Sequence, residues 1–265
     1  MEEYLKVNRE SWNKRTEIHV KSAFYDQESF EEGRSSLNNI ELKLLGDVSD
    51  KSILHLQCHF GQDTLSIARM GADVTGVDLS NKSIDFAEKT AKKLGIKSEF
   101  VCCNVLEIDK YLKRSYDIIF TSYGTIGWLP DLKKWGELIF QYLNPGGQFI
   151  MVEFHPVIWM FDDDINYIAY SYFNKEAILE EYEGTYADPD SKVKIKAYGW
   201  NHPLSDVFNA LTNTGLSITH FEEYDYSPYD CFSKAAKVEN GYQIRGLEGK
   251  LPMVFSLKAE KIVAK

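Results

Sequence analysis

Residues 52–61, SILHLQCHFG, followed by 73–78, DVTGVD, decide how this chain folds. SILHLQ (52–57) is a short apolar run of the kind that makes a strand buried on both faces. CHFGQD turns the chain, residues 62–70 read as a helix stopped by Gly71, and DVTGV (73–77) is a second short strand. Strand, helix and strand at this spacing form a βαβ unit, and its crossover is right-handed.

The same rhythm extends outward. Ser80 suits the N-cap of a helix at 81–94, and Gly95 suits its end. Further strands are expected at 98–103, at 116–122 (YDIIFTS) and at 148–154 (QFIMVEF). A helix at 131–143 and the turn NPGG (144–147) separate the last two. A helix at 204–214, capped near His202 or Ser205, leads to a strand at 216–223, and 252–263 closes the chain as a strand. The expected fold class is α/β: a doubly wound, seven-stranded, mostly parallel sheet with helices on both faces.

Two regions break the rhythm. Residues 1–46 read as a helical N-terminal cover. Its first helix or helix pair spans 4–25, with Trp12, Arg15, Ile18 and His19 at helical spacing, and a second helix spans 37–45 and ends at Gly46. Residues 156–200 are rich in Tyr and Phe, carry Asp162, Asp163 and Asp164, and include an alternating stretch at 192–200. They read as an insertion, a lid. A second irregular stretch is expected at 225–249. The chain is thus one domain: cover (1–46), core (50–155), lid (156–200) and the remaining core (201–265).

Composition narrows the partners. With 30 Lys and Arg against 40 Asp and Glu, the net charge of -10 argues against a nucleic-acid backbone. No long apolar run suggests a membrane span, and the opening MEEYLKVNRE lacks the layout of a secretory signal. Cys58, Cys102, Cys103 and Cys231 form no CxxC pair, so disulfide and zinc frameworks are not expected and a cytoplasmic location is. No set of His, Cys and acidic residues has metal-ligand spacing. The Asp162–Asp164 run reads as a solvated loop, and His202 and His220 read as structural.

The turn after the first strand lies where doubly wound sheets bind ligands. Of the G-x-G-x-x-G pattern that receives a pyrophosphate, this chain keeps only Gly61. A ligand without phosphate needs those glycines less. Asp78 ends the second strand, where a carboxylate can accept from both hydroxyls of a ribose. Asn104 follows the third strand, where an amide can read an adenine edge.

With ILHLQCHFG, VTGVDLS, FVCCNVLE, YDIIFTSYG and LNPGGQFIMVE in this order, residues 50–155 resemble the class I S-adenosylmethionine (SAM)-dependent methyltransferases of the bacterial small-molecule type. The resemblance implies a Rossmann-like methyltransferase fold and SAM as cofactor. It implies cofactor contacts at Gln57, His59, Gly61, Asp78, Leu79, Asn104, Val105 and Ser122. The chain departs from the family's usual acid at His55, from its usual glycines at Gln57 and His59, and from its frequent Asp at Asn104. A small-molecule acceptor taking the methyl on O, N or S, without nucleic-acid or membrane partners, is the expected reaction of a monomer or homodimer.

Methyl transfer needs alignment and exclusion of water above all. The acceptor is expected above strands four and five, near Ser122, Tyr123, Thr125 and Trp128. There His155 is the candidate general base, Glu153 a partner for His155 or for an acceptor amine, and Tyr123 a wall or a cover for the sulfonium. Trp12, His19 and Tyr25 are candidates to close over the cofactor. A SAM-binding module without catalysis and a nucleotide-fold oxidoreductase are the rival readings, because fold alone does not fix activity.

Overall fold

The computed structural model describes residues 2–262, so the last residue of the expected closing strand, 263, lies outside the described residues. Its centre is a seven-stranded sheet. The first three strands are β1 (Ser52–Leu56), β2 (Asp73–Asp78) and β3 (Glu99–Cys102). β4 (Tyr116–Ser122) and β5 (Leu143–Phe154) follow, and β8 (Leu216–Tyr224) and β11 (Val254–Lys261) complete the sheet. The spatial order is β3-β2-β1-β4-β5-β11-β8, with β11 antiparallel to both neighbours. The order reverses between β1 and β4, which pair in parallel, so a crevice opens beyond their C-terminal ends.

Successive residues of β1 feed opposite faces, as a strand's period of two requires. Leu54 and Leu56 join the core under α6 (Leu132–Tyr142) and α7 (Leu204–Thr212), with Trp135 and Leu211. Ile53 joins the core under α3 (Asn39–Leu45) and α4 (Gln62–Arg69), with Leu44 and Ile67. A third cluster, with Leu65, Ile84 and Phe100, seats α5 (Asn81–Leu94) on β3. Ser80 caps α5 by accepting from Ser83 N–H, and Gly95 ends it in the left-handed region.

The cover is α1 (Glu3–His19) and α2 (Gln27–Glu31). The buried face of α1 is polar: Asn8, Ser11, Arg15, Thr16 and His19. Hydrogen bonds hold it in place. Asn8 donates to Tyr198 O (2.9 Å) and accepts from Tyr198 N–H (2.8 Å), and Ser80 Oγ donates to Asn13 Oδ1 (2.7 Å).

Within 156–200, the expected strand is β7 (Lys194–Gly199), and it pairs with a strand not foreseen, β6 (Ile178–Glu183). The stretch expected to be irregular, 225–249, holds the hairpin β9 (Ala235–Val238) and β10 (Gly241–Ile244). The cap of α7 is Pro203, whose fixed backbone starts the helix without a side-chain bond, rather than His202 or Ser205.

Candidate active site

A single cavity of about 740 Å³ extends from the C-terminal ends of β1, β2 and β4 to the cover and the β6–β7 hairpin. All eight residues expected at the cofactor line it: Gln57, His59, Gly61, Asp78, Leu79, Asn104, Val105 and Ser122. The loop after β1 is wound tightly, with φ of 54° at Gln57, 50° at His59 and 82° at Gly61. Tyr123 after β4 also has positive φ, 39°. Non-glycine residues in this region carry backbone strain, which concentrates where loops present groups to ligands.

Asp78 ties the first two turns together. Its Oδ2 accepts from His59 N–H (2.8 Å) and its Oδ1 from Ser80 N–H (2.8 Å). A carboxylate offers about four acceptor positions, so two remain for other donors. Burial pushes its carboxyl up to about 6 against the pull of those backbone bonds. Asn104 spends its side-chain oxygen on Leu106 N–H (3.1 Å), starting a 3-10 helix at Val105–Lys110. Gln57 donates to Thr125 O (2.7 Å), while its Oε1 is buried without a partner.

His59 is held from both sides, by Ser83 Oγ (3.1 Å) and by His19 (3.0 Å). Burial, then the neighbouring His19 and Arg15, keeps His59 well below the usual imidazole range, and burial takes His19 down to about 3. Both rings are neutral at pH 7, so one donates and the other accepts. His55 is also neutral, lowered to about 4 by burial and bonded to Thr64 (2.8 Å).

His155 and Glu153, two of the three residues expected to carry chemistry, are bonded elsewhere. The ring of His155 is not among the groups lining the cavity. Its Nε2 pairs with Glu223 (2.9 Å) and its Nδ1 accepts from Val157 N–H (3.2 Å), so both nitrogens are occupied. The reason is register: His155 N–H bonds Met253 O, which ties the residue to the chain entering β11. Glu153 does not touch it. The carboxylate of Glu153 accepts from the N–H groups of Gly124, Thr125 (2.7 Å), Ile126 (3.1 Å) and Phe154 (2.7 Å), and from Thr125 Oγ1 (2.9 Å). Glu153 therefore organises the loop after β4. Tyr123 lines the cavity and donates to Glu41 Oε2 (3.0 Å).

Three comparisons with known proteins bear on this fold. Residues 53–147 match the family described as a methyltransferase domain. The chain is 28% identical over 128 residues to the ubiquinone biosynthesis O-methyltransferase of Bordetella avium, covering 47% of this chain and 53% of that one. It is 26% identical over 210 residues to the enzyme of the same name from Photorhabdus laumondii, covering 78% and 79%. A solved SAM-dependent methyltransferase structure, described as putative, from Listeria monocytogenes superposes with a TM-score of 0.58 at 18% identity, over 89% of this chain and all of the other.

The chain carries a class I SAM-dependent methyltransferase domain. The cofactor of this methyltransferase is SAM. The family match spans β1 to the start of β5, whereas the cover and the β6–β7 hairpin lie outside it.

Sequence reasoning missed three groups of this methyltransferase. Asp63, in the first turn of α4, accepts from Ser36 Oγ (2.5 Å) and Ser122 Oγ (3.2 Å) at the cavity wall. Its place two residues after Gly61 was the available signal. Glu41 is fully buried behind Tyr123, and nothing in its local sequence predicts that. Burial, then repulsion from Asp63, raises Glu41 from 4.5 to about 7. The spacing of Arg15 places it only among four residues sharing a helix face and does not mark it as a site group.

Glu41 makes a pH prediction. An acid whose folded pKa is raised holds its proton more tightly when folded. Its contribution is complete below 4.5 and is lost as pH climbs through 7. The loss between about pH 4 and pH 8 should approach 3 kcal/mol in order of magnitude. Urea unfolding of Glu41→Gln should lack this part of the decline. An identical decline in both proteins would exclude Glu41 as its source.

Proposed function

We propose that the protein transfers the methyl group of SAM to a small-molecule acceptor held between the sheet's loops and the aromatic roof. One observation carries this reading: the same cavity is lined by the Asp78 carboxylate and by the aromatic rings of Trp12, Trp128 and Tyr182. Cavities of this size, about 300–1,000 Å³, suit small molecules.

The residues present fit the cofactor. Asp78 would receive the ribose hydroxyls on its two remaining acceptor positions, with Leu79 beside it. Asn104 and Val105 would flank the adenine. The loop of Gln57, His59 and Gly61, with Ser122, would hold the amino-acid end. The unpartnered Oε1 of Gln57 is a buried acceptor suited to an ammonium. SAM supplies an electrophilic methyl on a sulfonium. The chain's own work is to align the acceptor and keep water out, with the 156–200 segment as the lid. His155 and Glu153 are committed to structural bonds, and Tyr123 keeps the role of a wall. This supports an acceptor that needs no protein base at β5, such as one already ionised. Four unpaired cysteines support a cytoplasmic protein.

Asp78→Ala should weaken SAM binding by about 1.5–3 kcal/mol, roughly 10- to 150-fold, the worth of hydrogen bonds to a charged group. Wild-type affinity should also fall as pH drops through about 6, where Asp78 takes up a proton. Calorimetry at several pH values checks both effects, and unaltered affinity in Asp78→Ala would remove this residue from the cofactor site. Release of S-adenosylhomocysteine (SAH) with an acceptor panel tests turnover. Binding with no product across the panel would favour a module without catalysis.

A further inference from the structure

Arg15 stands out among the cavity's lining groups. It is 2% exposed, yet no carboxylate lies within ion-pair distance of it among the described residues. Its guanidinium hydrogen-bonds only neutral hydroxyls, Ser11 Oγ and Tyr182 Oη. Three aromatic faces surround it: Trp12 at 4.9 Å, Trp128 at 5.1 Å and Tyr182 at 5.6 Å from ring centroid to guanidinium carbon. Such faces favour a cation but do not neutralise it. Glu180, two residues from Tyr182 on β6, is engaged by Tyr170 Oη at 2.8 Å. Buried guanidinium groups normally have an anion, because desolvating an unpaired charge is costly. Burial brings this one down to about 10, still protonated at neutral pH.

We infer that Arg15 is the receptor for an anionic group on a planar, aromatic methyl acceptor, which would lie against Trp12 and Trp128 with its carboxylate or equivalent oxyanion on the guanidinium. The inference rests on the methyltransferase reading of the cavity and adds the acceptor's chemistry. A second source of a carboxylate is SAM itself. The position of Arg15 favours the acceptor. The proposed cofactor groups all come from loops of the sheet within the matched methyltransferase domain. Arg15 and Tyr182 come from the cover and the β6–β7 hairpin, which lie outside it. Planar stacking and a bidentate oxyanion are also what a guanidinium framed by indoles recognises best.

The test uses the full chain loaded with SAH and a matched pair of probes, 2-naphthoate and 2-naphthamide, followed by quenching of tryptophan fluorescence. The wild type should prefer the acid by about tenfold or more, as one charge-assisted contact predicts. Arg15→Met should abolish that preference, and Arg15→Lys, which restores charge without the planar fork, should recover part of it. SAH affinity, measured separately by calorimetry, should be unchanged in both variants. Equal binding of acid and amide by the wild type would overturn the inference, whether or not the variants fold. So would a loss of SAH affinity in Arg15→Met with the acid preference intact, since the guanidinium would then serve the cofactor. Failure of the wild type to bind SAH at all would instead strike at the methyltransferase reading.

Discussion

Glu153→Ala is expected to destabilise the protein by about 3–5 kcal/mol, the cost of emptying a buried, fully engaged charged site. The carboxylate is 1% exposed and collects four backbone N–H groups and one hydroxyl. Alanine would strand all of them in a place where water does not replace the lost acceptor. Glu153→Gln keeps the size but turns an NH2 toward N–H donors, so it should recover only a small part of the loss. Urea midpoints of the two variants, with the transition slope unchanged, would measure this. A cost below about 1 kcal/mol for alanine would mean that the loop after β4 satisfies its N–H groups without Glu153. Binding should suffer as well, because Tyr123, Thr125 and Trp128 ride on that loop.

Gly136→Ala should be comparably severe for a different reason. Gly136 faces α7 from within α6, and a Cβ there would stand 2.0 Å from Ala210 O and 2.8 Å from its carbonyl carbon. Those are backbone atoms of a neighbouring helix and cannot rotate away. The two helices would have to separate, disturbing the core around Trp135, Val207 and Leu211. A cost of about 3 kcal/mol or more is expected, at the upper end for overpacking. Thermal unfolding measures it. A near-neutral substitution would show that α6 and α7 slide apart freely. SAM affinity should change little, since neither Gly136 nor Ala210 borders the cavity.

The sheet was legible because its strands obey local rules. β1 and β2 are short apolar runs punctuated by Gly61 and Gly71, and Ser80 and Gly95 bracket α5 where caps belong. The convergence of Gln57, His59, Gly61, Asp78 and Asn104 on one cavity was legible for a related reason: a sheet's switch point follows from strand order, so residues just past β1, β2 and β3 meet there. The acceptor side obeys no such rule. β6 was invisible because its half-buried alternation, Ile178 to Glu183, contains three acids and reads as a polar loop. The polar buried face of α1 hid Arg15, since burial is ordinarily inferred from apolar stripes. The placement of the His155 ring, bonded to Glu223 and Val157, depended on which way one residue at a strand end turns, and the local sequence does not encode that.

The way α1 is fastened bears on how molecules get in and out. A helix seated by an oily stripe loses its hydrophobic gain when it lifts, and water gives nothing back. The helix here packs Tyr4 and Trp12 against aromatic rings, but its buried face is seated by amide, hydroxyl and imidazole contacts, such as Asn8 on Tyr198 and Thr16 on Ser83 (2.7 Å). Solvent can take over each of those bonds as it breaks, so parting them is nearly an exchange. Any lifting of α1 from the cavity would therefore cost less than the same motion of a helix seated on an apolar stripe.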